Sequence, residues 1–177
     1  TDVAIEAIAS TNVYSGGDGN TGFFDCIYAQ DATGGINLFP VSVGVQAGQK
    51  IRVTGKVGEY QGEKQIQNAK VTVINNNKIP VAPKAVTPKE AMLPSNTGSL
   101  LQFTGVISEI KRDKDGVIGQ LMVGDARVYI NGYITKGVAM SNLKVGDTIS
   151  VIGLASVGEN MTSDTEFLPR IRVRDRS

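Results

Sequence analysis

The chain has 177 residues, 41% of them hydrophobic, and a formal net charge of +1, the balance of a globular protein rather than of a disordered tail or a duplex binder with a large basic excess. It contains no histidine and one cysteine, Cys26, which removes Ser–His and Cys–His nucleophile pairs, nearly every zinc or iron site and any intrachain disulfide. No apolar run approaches the ~20 residues of a membrane-spanning helix, and Thr1–Ile5 lacks the basic and apolar regions of a signal peptide.

Val/Ile/Thr-rich runs alternate apolar with polar residues and are parted by Gly, Asn and Asp clusters; the pattern predicts an all-β protein. The first strand is expected over Val3–Ile8, followed by a Gly/Ser/Asn-rich loop, Ser10–Gly22. Phe23–Gln30 is the second strand, turned by Asp31–Gly35 into a third at Ile36–Phe39. Val41–Ala47 is a short connector. Lys50–Val57 is the fourth strand, with Ile51, Val53 and Val57 on one face and Lys50, Arg52 and Lys56 on the other. A polar hairpin loop, Gly58–Glu63, leads to a fifth strand near Gln65–Ile74. Five strands with a connector between the third and fourth match an OB-fold barrel.

The stretch Asn75–Gly98 reads as a boundary, with four of the six prolines (Pro80, Pro83, Pro88, Pro94). Inside it, Thr87-Pro88-Lys89-Glu90 has the form of a capping box with proline at the first helical position. A helix of one to two turns is expected from Pro88, stopped by Pro94, and it should pin two barrels more firmly than a flexible tether.

The second half repeats the plan: strands at Leu100–Glu109, Val117–Val123 and Arg127–Ile130, a connector Asn131–Lys144, then Thr148–Ala155, a long acidic loop Ser156–Phe167 and a last strand Pro169–Arg174. Gly48/Gly146, Val53/Val151 and Gly55/Gly153 fall in register between the halves. The expected architecture is two tandem five-stranded OB-fold barrels, residues 1–76 and 99–177, joined by a Pro-rich linker over 77–98.

The hairpin Tyr28-Ala29-Gln30-Asp31-Ala32-Thr33-Gly34-Gly35-Ile36 and the later Gly55-Lys56-Val57-Gly58-Glu59-Tyr60-Gln61-Gly62-Glu63 resemble the "Y-I-Q-D-x-T-G-G-I" and "G-x-V-x-x-Y-x-G-E" motifs of OB-fold domains in bacterial secreted nuclease-type proteins. The terminal Arg170–Ser177 segment resembles the end of tandem OB modules in long Gram-positive exported proteins, beside nuclease, nucleotidase or other hydrolase domains. The resemblance implies a noncatalytic accessory domain, extracellular or cell-wall associated. Ala29 departs from it, standing where the family has a large aliphatic residue.

An OB-fold binds ligands across its second and third strands and its first-to-second and fourth-to-fifth loops. In the first barrel these elements carry Tyr14, Tyr28, Gln30, Phe39 and Tyr60, with Lys50, Arg52, Lys56 and Lys64 nearby. Aromatic faces that stack bases and cations that track phosphates are what single-strand binding needs. Against this, Asp18, Asp25, Asp31, Glu59 and Glu63 offset the local charge, and Tyr28 and Phe39 are equally suited to packing. Arg170, Arg172, Arg174 and Arg176 share one strand face; they could grip phosphates, or form a solvated face paired with acids. Asp113-Lys114-Asp115-Gly116 lacks the spacing of a calcium loop and reads as a hairpin turn. Neither a phosphate loop nor a convergent carboxylate pair is present.

These features allow two functions. In the first, the chain is a noncatalytic module without cofactor or metal, binding single-stranded nucleic acid or another extended polymer weakly through the first barrel. In the second, it is a spacer or protein-interaction module. A concave first-barrel face with exposed Tyr28 and Phe39 supports the first; burial of that face under the second barrel supports the second.

Overall fold

The computed structural model describes residues 1–12, 23, 25–130, 142–160 and 163–175, without the side chains of residues 160 and 163–165. Strands β1 (Asp2–Ala9), β2 (Ile27–Asp31), β3 (Gly34–Phe39), β4 (Lys50–Tyr60) and β5 (Glu63–Asn75) close a barrel in the order β1-β2-β3-β5-β4. All neighbours are antiparallel except β3 and β5. This is the five-stranded Greek-key barrel expected of the first half.

After it come β6 (Lys84–Ala85), the helix α1 (Pro88–Ala91), a 3₁₀ turn (Pro94–Asn96), and β7 (Leu100–Arg112), β8 (Ile118–Val123), β9 (Ala126–Tyr129), β10 (Thr148–Asn160) and β11 (Ser163–Val173). Their sheet runs β10-β11-β9-β8-β7-β6, with β10 also paired to β7. The pairings β7–β8, β8–β9, β9–β11, β11–β10 and β10–β7 repeat those of the first barrel one for one, including the single parallel contact.

Alternation explains the two cores. Ile51 and Val53 are fully buried with Ala7, Ala9, Ile27, Ala29, Leu38 and Ile66; Val151 lies with Leu101, Phe103, Ile107, Leu121, Val128 and Ile171 in the other. Ala29 is thus a core residue. The glycine register has a steric cause. A Cβ on Gly55 would lie 2.6 Å from Ile66 Cγ2, and one on Gly153 would lie 2.6 Å from Ile171 Cγ2.

Val57 pairs with Ile66 and lines an open hollow with Val3, Ile5 and Ile36, so it keeps the face of Ile51 and Val53 although it is 41% exposed at the barrel mouth. The extra residue at the register shift lies on β5, between Gln67 and Lys70. Two local expectations are corrected. Gly58–Glu63 is mostly strand, and the turn narrows to Gln61 and Gly62, both at positive φ (50° and 81°). Ser156–Phe167 likewise belongs largely to β10 and β11. Both hairpins extend beyond their cores, so their polarity reports exposure to water rather than loss of pairing.

The helix forms as its cap predicts: Glu90 N–H donates to Thr87 Oγ1 at 3.2 Å and Thr87 N–H to Glu90 Oε2 at 2.8 Å. Ala91 is buried in the second core, which ties the helix to that unit. Thr87→Ala should cost about 1 kcal/mol of local stability, seen as faster amide exchange at Glu90 and Ala91; unchanged exchange would show that the cap does not hold the helix.

A third apolar cluster joins the two units: Phe23, Cys26 and Tyr28 from the first, Leu100 and Leu154 from the second, and Val81 from the linker. Tyr28 faces away from Ile27 and Ala29 and so lies outside the first barrel, yet it is 0% exposed. Strand β2 is buried on both faces because the second unit covers the outer one.

Candidate binding cleft

The nine residues predicted to bind do not form one surface. Tyr14 lies outside the described residues. Tyr28 is sealed in the junction, so it cannot stack on a base there; its hydroxyl donates to Glu63 Oε1 at 2.5 Å. Gln30 Oε1 accepts the Leu100 backbone N–H at 3.0 Å and is committed to the same junction. Lys50 and Arg52 both pair with Glu6, at 3.4 and 2.6 Å. These are exposed contacts worth little in stability, but they offset the charge meant for phosphates. Lys56 lies on an open hollow beside Asp2, Asn68 and Lys70, and Lys64 is paired in register with Glu59. Of the eight that are described, only Phe39 and Tyr60 line the cleft at the junction.

That cleft, about 330 Å³, opens between the two units. Asp25 and Cys26, just before β2, and Asn37 and Phe39 of β3 line one side. The β4–β5 hairpin contributes Tyr60, Gln61, Glu63 and Gln65, and β9 to β11 contribute Tyr129, Val157, Arg170 and Arg172. Tyr60 is 63% exposed and Phe39 39% exposed at its mouth.

A polar network closes the back. Glu63 accepts from Tyr28 and, through Oε2, from Ser156 Oγ at 3.0 Å. Asn37 Nδ2 and Arg172 Nη1 donate to the Tyr28 hydroxyl at 3.3 and 3.4 Å, and Arg172 Nη1 also approaches Cys26 Sγ at 3.6 Å. The guanidinium of Arg172 lies 4.8 Å from the Phe23 ring centre, and that of Arg170 lies 4.4 Å from the Tyr129 ring. Among the described residues neither arginine is in an ion pair, and the Nε of each is buried without a hydrogen-bond partner. Two cations are therefore held by aromatic faces rather than by carboxylates.

Burial raises the Glu63 carboxyl above its usual range, opposed by the Tyr28 hydrogen bond and by Arg172. Burial also raises the Tyr28 hydroxyl and the Cys26 thiol. A thiol pushed upward is not a ready nucleophile, and the glutamate oxygens are occupied by hydroxyl donors. The cleft thus sets two guanidinium groups beside aromatic rings.

Alternation along the last strand places Arg170 and Arg172 correctly on one face but leaves open whether that face is solvated. Arg174 does pair with Asp175, at 2.8 Å. The two preceding arginines instead turn into the junction, because β11 carries them opposite the outer face of β2. The remaining acidic turns are backbone-bound: Asp31 Oδ1 accepts from Thr33 N at 2.7 Å, and Asp113 Oδ1 from Asp115 N and Val117 N, both at 2.9 Å.

No protein-family model and no curated protein matches the chain. Among solved structures, it is similar to a murine DNA-binding protein bound to double-stranded DNA, with 9% identity over 96% of this chain and 93% of that one, at a TM-score of 0.48. It is similar to the Ifi202 HINa domain in complex with 20-bp double-stranded DNA, with 13% identity over 97% and 94% of the chains and a TM-score of 0.40. For the single-stranded DNA-binding protein of Thermus aquaticus, the values are 12%, 99% and 91%, and 0.28. These identities and scores are too low for any of them to assign a function to this chain.

Proposed function

We propose that the chain is a noncatalytic accessory module of a larger exported protein, a rigid tandem of OB-type barrels that weakly holds an extended anionic polymer, single-stranded nucleic acid foremost, along the mouth of the inter-unit cleft. The observation that carries the reading is the presence in one cleft of exposed aromatics, Tyr60 and Phe39, and of the guanidinium groups of Arg170 and Arg172, which among the described residues are in no ion pair. Stacking faces beside cations are the requirement for sequence-tolerant single-strand binding. The repeated strand pairings support the tandem; export and the accessory role rest on the resemblance of the hairpin and terminal motifs.

Fluorescence anisotropy with a labelled strand of about ten to twenty nucleotides at low salt tests this. Tyr60→Ala should weaken binding by about 1–3 kcal/mol. Tyr28→Ala is not an equivalent probe, since its first effect is on the junction. A second reading, a structural spacer, is favoured by one specific observation: the second unit occupies the outer face of β2 and ties down both Tyr28 and Gln30. Absence of any binding with protein at about tens of micromolar would select the spacer, because higher salt only weakens phosphate contacts.

A further inference from the structure

We propose that the cleft floor is a discrete site for one phosphomonoester group carried on a small planar body, rather than a groove through which a strand passes. This rests on the reading of the cleft as the ligand-bearing surface, and it goes further in naming what the floor recognises.

The shape argues for an end-on ligand. A volume near 330 Å³ lies at the lower end of small-molecule pockets, roughly 300–1,000 Å³. Its back is blocked by the Tyr28–Glu63–Ser156 network. A chain can enter such a space but cannot continue through it.

The donors argue for phosphate. A guanidinium carries five N–H donors and no acceptor. The ring faces beneath Arg170 and Arg172 balance positive charge but leave in-plane N–H groups unmatched. The buried Nε of each arginine is one such group, and a buried donor without an acceptor is costly. Of the two carboxylates lining the cleft, Glu63 is occupied by Tyr28 and Ser156, and Asp25 sits at the exposed rim. Two guanidinium groups suit a dianionic tetrahedral oxyanion better than a single carboxylate, which one arginine satisfies. Phe39, Tyr60 and Tyr129 wall the remaining space, where a planar body can lie against them.

The test is titration of the whole chain with phenyl phosphate and with inorganic phosphate at constant ionic strength, followed by amide chemical shifts and calorimetry. Both should saturate, phenyl phosphate more tightly, with shifts at Cys26, Glu63, Arg170 and Arg172. Arg170→Gln should weaken phenyl phosphate by about tenfold or more. Gly158→Ala should do the same with every charge retained, because a Cβ there would lie 2.3 Å from Arg170 Cζ and displace the guanidinium. Glu63→Gln should tighten binding by removing the nearby carboxylate. No saturation beyond a chloride control, or unaltered binding in both folded Arg170→Gln and Gly158→Ala, overturns the proposal; if either variant fails to fold, the parent titration and the other variant decide.

Competition by oligonucleotides distinguishes the sources of the phosphate. Displacement of phenyl phosphate by a 5′-phosphorylated strand, but not by its 5′-hydroxyl counterpart, identifies a strand end, and displacement by neither identifies a free small phosphate. Equal displacement by both means that a strand runs through the floor, which overturns the site as proposed. Saturable phenyl phosphate without polymer anisotropy would sink only the polymer reading, and the reverse would sink only this one.

Discussion

Replacing Gly98 with alanine is expected to destabilise the protein by about 3 kcal/mol or more, the sum of a left-handed backbone penalty and backbone overpacking. Gly98 has φ +89°, and a Cβ there would lie 2.1 Å from Gly35 O and 2.3 Å from Gly35 C. The converse holds: a Cβ on Gly35 would lie 2.1 Å from Gly98 O. Because the obstructing atoms are main chain, no rotamer change relieves the clash, and the two units must separate or tilt. The Gly98 N–H also donates to Ala155 O at 2.7 Å, so any shift is passed to β10. Gly116→Ala is the matched control, with φ +79° and open space where its Cβ would go; it should cost only the backbone term, about 1–2 kcal/mol. Urea denaturation of the two variants measures the difference. Equal losses would mean that the units do not meet through these glycines.

Arg172→Ala should cost about 3 kcal/mol or more near neutral pH, because it removes the buried contacts with Phe23 and Tyr28 and the positive charge that favours an ionised Glu63, and the loss should shrink in acid. The sign follows from Glu63. Burial holds the proton on its carboxyl more tightly in the folded chain than in the unfolded one. Stability therefore falls as pH rises from the ordinary carboxyl value through the raised one. Arg172 opposes that rise, so removing it lifts the folded value further and deepens the decline toward neutrality. Below the ordinary carboxyl value Glu63 is protonated in both states and this contribution vanishes, leaving only the lost contacts with Phe23 and Tyr28. Adding Glu63→Gln to Arg172→Ala should flatten the extra pH dependence. Thermal melts between about pH 4 and 8 test this; a destabilisation independent of pH would show that the two side chains are not coupled.

How far the candidate site was legible depends on which face of a strand is asked about. The alternation of Ile51, Val53 and Val151 identifies inward faces without further information, because one side of a barrel wall must be apolar. Tyr28, Gln30, Arg170 and Arg172 all point outward from their own units, and nothing local distinguishes an outward residue in water from one beneath a neighbour. A tyrosine suits stacking on a base or sealing a junction equally well, and an arginine stripe suits solvent or a cleft. Phe39 and Tyr60 remained at the cleft because they occupy the ends of β3 and β4, beyond the junction's reach.

The all-β class, the first barrel's five strands, the repeated glycine register and the capped helix at Pro88 are all written in the order of the amino acids. Each comes from short-range rules: alternation, turn chemistry, or a Cβ that a neighbouring strand cannot admit. Docking of the two units was needed to show that β2 is buried on both sides and that Arg172 of the second unit faces the Phe23 ring of the first. Strand pairing was needed to show that the polar stretch between β4 and β5 is mostly ladder, with a turn of only Gln61 and Gly62. The junction depends on how two outer surfaces meet, and the groups that meet there lie as far apart in the chain as Cys26 and Arg172. No local pattern records which partner an outward side chain will find.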